Sequence, residues 1–209
     1  MPEFKFDKKS LLIAVFLAGC VFLLLFSTRA LFLTGDSINY ALSAKNGSSL
    51  FHPHHLLYNL SIRNFFLLLN KLSMATDIIL AAQIHNIFFS TISVLSIFFI
   101  IKKLTSSYVL SVLAGMSLLF SLGFWRLSTQ IETYIPSLAF LSLMMLTISS
   151  KDRMLNTNQL LMIAFLQVLA VLYHQMNILF FIPLIIYFFT FQRNKTKKAL
   201  IIAVFLPWV

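Results

Sequence analysis

Acids, histidines and arginines are scarce in this chain, and they gather in a few places. Asp36 stands in Gly35-Asp36-Ser37-Ile38-Asn39-Tyr40, ahead of His52-Pro53-His54-His55. Arg126 and Glu132 frame Arg126-Leu127-Ser128-Thr129-Gln130-Ile131-Glu132-Thr133-Tyr134, and His174 follows Tyr173. A carboxylate within hydrogen-bond reach of a hydroxyl can act as its general base. An arginine can hold a phosphate through its fork of N–H donors. Imidazole suits zinc, and it also serves as a hydrogen-bonding partner. These residue types together could activate a hydroxyl beside an anionic group.

Each group also has a plain reading. Asp36 could cap a helix suggested by Ile38, Ala41 and Leu42. Glu132 could simply pair with Arg126, and His174 could be an interfacial residue beside Tyr173. His52-Pro53-His54-His55 could ligate a metal, but its spacing matches no standard zinc motif, and Pro53 holds the chain extended. What favours a site is the set taken together, provided one surface collects it.

The elements that must do the collecting are set by composition. The chain is 59% apolar and only 11% charged, with a mean hydropathy of +0.90. A soluble domain carries about 25% charged residues, so this chain cannot cover itself in water and its outer surface must be lipid. A hydrocarbon core needs roughly 17–25 apolar residues of helix. The expected spans are about 10–33, 78–101, 108–125, 133–150, 159–173 and 176–191, with an incomplete one over 199–209. The fold class is therefore all-α, a polytopic transmembrane bundle of about six or seven spans in a single transmembrane domain, residues 1–209. The chain stops inside the apolar run Leu206-Pro207-Trp208-Val209, as the front part of a longer chain would.

Residues 54–73 are apolar enough to raise the question of a further span. Arg63 and Asn64 would then sit at mid-depth, which is costly against lipid. If 54–73 does not cross, eleven of the sixteen Lys and Arg residues share one side: Lys5, Lys8, Lys9, Lys102, Lys103, Lys151, Arg153, Arg193, Lys195, Lys197 and Lys198. That is the positive-inside pattern. Segment 54–73 is thus expected to lie along the interface as an amphipathic helix within a long outer loop, 34–77. The N-terminus is then cytoplasmic, and the acids and histidines face outward. The net charge of +10 is topological, and nucleic acid is excluded as a partner.

Cys20 is the lone cysteine, which excludes a disulfide framework. Leu17-Ala18-Gly19-Cys20 looks like a lipoprotein cleavage box, yet the apolar run continues to Phe26, so Cys20 is read as part of an uncleaved helix. Gln83, His85 and Asn86 lie in the second span and either line a cavity or hydrogen-bond a neighbouring helix. Gly115 and Ser117 are expected to allow close helix contact. Asn46-Gly47-Ser48 and Asn59-Leu60-Ser61 match the glycosylation acceptor pattern.

The order of these parts resembles the GT-C glycosyltransferases, multi-span enzymes that take sugars from polyprenyl-phosphate carriers. The protein O-mannosyltransferase-like branch looks closest. There an acidic motif after the first span is followed by a small helix bearing Tyr and Ala, then a His-Pro-Pro type motif. The counterparts here are Gly35-Asp36-Ser37, Tyr40-Ala41 and His52-Pro53-His54. Trp125 followed by Glu132-Thr133-Tyr134 is similar to a second motif of related families. Ser37 stands where many members carry a second acid, and His54-His55 replaces the usual second proline and glycine. The resemblance covers residues 1 to about 190, mostly by layout.

What the resemblance implies is a membrane glycosyltransferase that moves a sugar from a polyprenyl-phosphate donor to an acceptor hydroxyl. The acceptor would be a glycan, lipid or protein at the extracytoplasmic face of the plasma membrane or endoplasmic reticulum. It makes Asp36 the general base with Glu132 beside it, and Tyr40 part of the substrate site. The chemistry fits independently: Arg126 or Arg29 can hold the phosphate, and His52, His54, His55 and His174 the phosphate or sugar hydroxyls. No cofactor is assigned; a divalent metal is the one the resemblance admits. A transporter or flippase of an amphiphile, motivated by Gln83, His85 and Asn86, is the competing reading. A non-catalytic membrane subunit is the third.

Overall fold

A computed structural model describes residues 7–74, 77–149 and 155–191. Lys151, Arg153, the basic run 193–198 and the expected last span therefore lie outside the described residues, as does Lys5. Among the described residues the chain is all-helical, with no strand; the only β-type pairing is the isolated His52–His55 bridge. The helices are α1 (Lys8–Ser27), α2 (Gly35–Asn46), α3 (Tyr58–Lys71), α4 (Ile78–Thr105), α5 (Tyr108–Leu119), α6 (Leu122–Thr129), α7 (Tyr134–Ile148), α8 (Thr157–Tyr173) and α9 (Phe181–Phe191), with a 3₁₀ turn over Gln175–Phe180.

Local chemistry sets several boundaries. The Asp7 carboxylate accepts from Ser10 N–H to open α1, and the Thr34 hydroxyl accepts from Ser37 N–H to open α2. α8 begins with a reciprocal capping box between Asn156 and Gln159, so it starts ahead of the apolar run. α2 stops at Gly47, whose φ of 71° is left-handed. Pro136 and Pro183 each occupy a first helical turn, where a missing N–H costs nothing.

Among the described residues two helices, α1 with 20 residues and α4 with 28, are long and apolar enough to cross a membrane. α5 and α6 pass the same test only as a pair, bent by 66° at Phe120–Ser121. The stretch 108–125, expected as a span, is thus two helices rather than one, and α6 carries Trp125 and Arg126 away at an angle. α7, α8 and the 175–188 run are apolar but shorter. α1 closes at Ser27 with Thr28 as its cap, leaving Arg29 beyond the helix.

α4 is the hub, in contact with α1, α2, α3, α5, α6 and α7. Its core partners include Val21 and Leu25 of α1, Leu119 of α5 and Ile135 of α7 around Ile87, Val94 and Phe98. A second cluster joins α7, α8 and α9, and a third joins α2, α3 and Tyr173 to Ile78 and Ala82. Gly115 permits the close α4–α5 approach: a Cβ there would meet Val94 Cγ1 at 3.2 Å. Ser117 plays no such part; it is exposed and donates to Leu113 O. Cys20 lies exposed within α1.

α3 is amphipathic, burying Tyr58, Asn59, Ile62 and Leu69 against α2 and α4 while Leu67 and Leu68 remain exposed. Arg63, so costly in a spanning helix, finds a local use. Its Nη1 donates to Ala44 O at 2.9 Å and Lys45 O at 3.0 Å, satisfying the last carbonyls of α2.

Candidate functional site

The site is built on the first turn of α2. Asp36 is exposed there, near the helix N-terminus, where a carboxylate is electrostatically favoured. The next residue, Ser37, is buried and donates its hydroxyl to Ile131 O at 3.0 Å. That bond ties the start of α2 to the loop carrying Glu132. Tyr40 follows Asp36 by four residues and so shares its helix face.

The charges of these groups act on one another. Burial pushes the Tyr40 phenol up to about 12, with Asp36, Glu132 and Tyr134 adding to the shift. Tyr40 therefore keeps its proton and can donate a hydrogen bond. Glu132, half-buried, is also held above its ordinary value, first by burial and then by the charge of Asp36, while Arg126 opposes the rise. Two carboxylates distant in sequence thus stand within each other's field, as acid–base pairs do.

The loop bearing Glu132 is positioned from α4. The Asn86 amide donates to Gln130 O at 3.1 Å and Glu132 O at 2.9 Å, and its Oδ1 accepts from the Tyr58 hydroxyl at 3.0 Å. One turn earlier, Gln83 donates to Ala30 O at 2.8 Å and Thr129 O at 3.3 Å. Ala30 N–H in turn donates to Thr129 O. Gln83 and Asn86 thus bond neighbouring helices, Gln83 the last residue of α6 and Asn86 the first of α3, and they also fix the loops that follow α1 and α6. Apart from Tyr58, their partners are backbone carbonyls, which leave no mark in a sequence. His85 contacts Ser61 Oγ through Nε2 at 3.1 Å among Tyr58, Phe65 and Phe89.

The histidines arrive on a tight turn. His55 N–H donates to His52 O at 3.0 Å with Pro53 at the turn's second position. The rings of His52 and His55 lie 4.3 Å apart, and His55 meets Tyr40 edge-on at 4.7 Å. His55 is 3% exposed, and neither ring nitrogen has a hydrogen-bond partner. Burial lowers its pKa to about 4, so its ring is neutral at neutral pH. His54 points outward and is latched to the end of α8: Gln175 N–H donates to His54 O at 3.1 Å, and the Gln175 amide bonds the His54 ring. Leu57 N–H also donates to Leu172 O. His174 packs on Tyr134 with ring centres 4.4 Å apart, and burial lowers its pKa too. As neutral rings, His55 and His174 suit hydroxyls better than phosphate charge. Gln175 and Tyr58, which position the histidines and Asn86, carry no motif by which sequence alone would single them out.

The fold therefore brings Asp36, Tyr40, His52, His55 and Glu132 into one neighbourhood, with His54 and His174 at its α8 side. Arg126 is exposed on α6 and acts on Glu132 through its field. Arg29 follows the end of α1, with Nη1 donating to Phe26 O at 2.9 Å. Among the described residues, no group of three His, Cys, Asp or Glu side chains is arranged to hold a metal ion. Asn59, in the second acceptor pattern, is buried with its amide given to Ser49 O, which closes it to modification. No family model, curated protein or solved structure matches the chain.

Proposed function

We propose that this chain is a membrane glycosyltransferase of the GT-C type that moves a sugar from a polyprenyl-phosphate carrier to an acceptor hydroxyl. The observation that carries the reading is the electrostatic coupling of Asp36, Tyr40 and Glu132 beside neutral histidines, at one end of an apolar helical bundle. In this reading the bundle crosses the bilayer six or seven times, with the shorter and bent helices completing the spans. The N-terminus is cytoplasmic and the carboxylates face the extracytoplasmic side.

The reaction needs little beyond these residues. Asp36 takes the proton of the acceptor hydroxyl as its oxygen bonds to the sugar's anomeric carbon. The bond from that carbon to the phosphate oxygen breaks, and its electron pair leaves with the lipid phosphate. Arg126 or Arg29 meets the charge that develops there. Tyr40 donates to the sugar or acceptor, Glu132 accepts from a sugar hydroxyl, and His52, His54, His55 and His174 complete the hydroxyl contacts.

The transporter reading drew on Gln83, His85 and Asn86 in α4. The amides of Gln83 and Asn86 are engaged with loop carbonyls, which takes two of its three residues from that reading. The test is purified protein in proteoliposomes supplied with a radiolabelled prenyl-phosphate sugar and a hydroxyl acceptor. Covalent transfer of label supports the proposal. Movement of the intact donor between leaflets without transfer overturns it.

A further inference from the structure

The turn His52-Pro53-His54-His55 closes on a backbone bond, and two of its rings are also held as acceptors. His54 N–H donates to His52 Nδ1 at 3.3 Å. A backbone N–H can only donate, so this bond exists only while His52 carries no proton on Nδ1. On the other side of the turn the Gln175 amide nitrogen faces His54 Nδ1, a contact in which the ring nitrogen accepts. The third ring, His55, is bonded to nothing: both its nitrogens are buried without a partner. A second N–H and a charge would be costly there. Three histidines in four residues are thus each placed as the neutral imidazole, the side chain whose charge changes between about pH 5 and pH 8.

The elements packed on the turn do not welcome its charging. Tyr40 meets His55 from α2 and Tyr58 from the head of α3, with ring centres 4.7 and 6.1 Å away. The charges that act on His55 are those of His52, His174 and His54, and all three oppose its protonation. His54 likewise opposes a charge on His174, which packs on Tyr134. Asp36 and Glu132 act on Tyr40 instead. Ring centres lie 4.3 Å apart for His52 and His55 and 5.4 Å for His52 and His54, so protons taken up here repel one another.

The same turn is what closes this part of the site. His55 is 3% exposed, so in the closed turn it reaches no ligand. Two backbone bonds fasten the turn to the end of α8: Gln175 N–H to His54 O and Leu57 N–H to Leu172 O, both 3.1 Å. We propose that residues 52–55 are a pH-operated latch over the candidate site, closed on neutral imidazoles and released when they take up protons. Release frees the His55 ring and uncovers Tyr40, one helical turn from Asp36. The latch regulates the site of the proposed transfer, and it rests on that reading only for the hydroxyl that a freed His55 would meet.

Amide hydrogen exchange on the full chain in detergent reads the latch directly. After correction for the intrinsic effect of pH, protection of the His55, Leu57 and Gln175 amides should fall about tenfold for each histidine charged between about pH 7.5 and about pH 5.5. The amides of α4 should keep theirs. His52→Asn/His55→Phe, in which an amide oxygen can still accept from His54 N–H, should lose most of that pH response. If the double variant does not fold, His52→Asn alone is read, and its response should be smaller than the parent's. Gln175→Ala, which removes the side-chain fastening, should lower protection at about pH 7.5 already. Protection that does not change with pH, a fall shared equally by α4, or an undiminished response in folded His52→Asn would each overturn the latch. Exchange that behaves as described in a protein that transfers no sugar would retain the latch and sink the transferase reading.

Discussion

Asn86 donates its side-chain amide to the backbone carbonyl of Glu132 at 2.9 Å. A residue in the first third of α4 thereby decides where a loop carboxylate stands. The same side chain accepts from Tyr58 and donates to Gln130 O, so α3, α4 and the loop before α7 meet at one amide. Asn86 is fully buried, and losing it would leave a phenol and two carbonyls without partners.

Asn86→Leu should therefore cost stability and activity together. Each buried group left unpaired costs about 1–3 kcal/mol, so a large fall in thermal midpoint is expected. Tyr58→Phe removes one bond and should cost less. Melting curves in detergent check the order; a Tyr58→Phe loss equal to that of Asn86→Leu would contradict it.

Arg126 offsets the effect of burial and Asp36 on Glu132. Removing it raises the proton affinity of Glu132 further. If Glu132 acts ionised, the acid limb of the transfer profile should move to higher pH in Arg126→Gln. The midpoint of that limb is the readout, since a weakened phosphate contact would lower the rate without moving it. An unmoved midpoint would remove Glu132 from the ionised machinery.

His55 is buried neutral, with its pKa lowered to about 4 from 6.5. The unfolded chain then binds the proton more readily than the folded one, so stability is full above about pH 6.5 and falls as pH drops toward 4. The loss from this one group is on the order of 3 kcal/mol. His55→Phe should flatten the decline between pH 6.5 and 4 relative to the parent, measured by thermal melts across that window. An identical slope in both proteins would show that His55 is not the group being charged.

Gly47 ends α2 with φ +71°, and a Cβ there would lie 3.0 Å from Arg63 Nη1. Gly47→Ala combines a left-handed strain of about 1 kcal/mol with pressure on the arginine that caps α2. Arg63→Ala unpairs the same carbonyls. The two changes should be less than additive in a double-mutant melt, because both act through one cap.

The sequence carries the chemistry better than the scaffold. Asp36, Glu132 and the histidines are visible because charged and imidazole groups are rare in an apolar chain. Their convergence through Ser37, Asn86 and Gln175 is not visible, because each bonds a backbone carbonyl or a loop on a remote segment. The apolar run 108–125 contains no proline, and Phe120-Ser121 gives no sign of a 66° break. Helix starts are easier where side chains do the capping, as Asn156 and Gln159 do for α8. Arg63 was a reason to keep 54–73 out of the bilayer; its use as the cap of α2 depends on a loop return that composition cannot express.

The central claim is that Asp36 takes the acceptor's proton. Its most direct test is the rate of sugar transfer from a prenyl-phosphate donor by Asp36→Asn, with donor binding measured in parallel on the same folded protein. The account predicts transfer reduced by at least about 100-fold with donor affinity largely kept. Transfer at the parent rate, with binding intact, would contradict it.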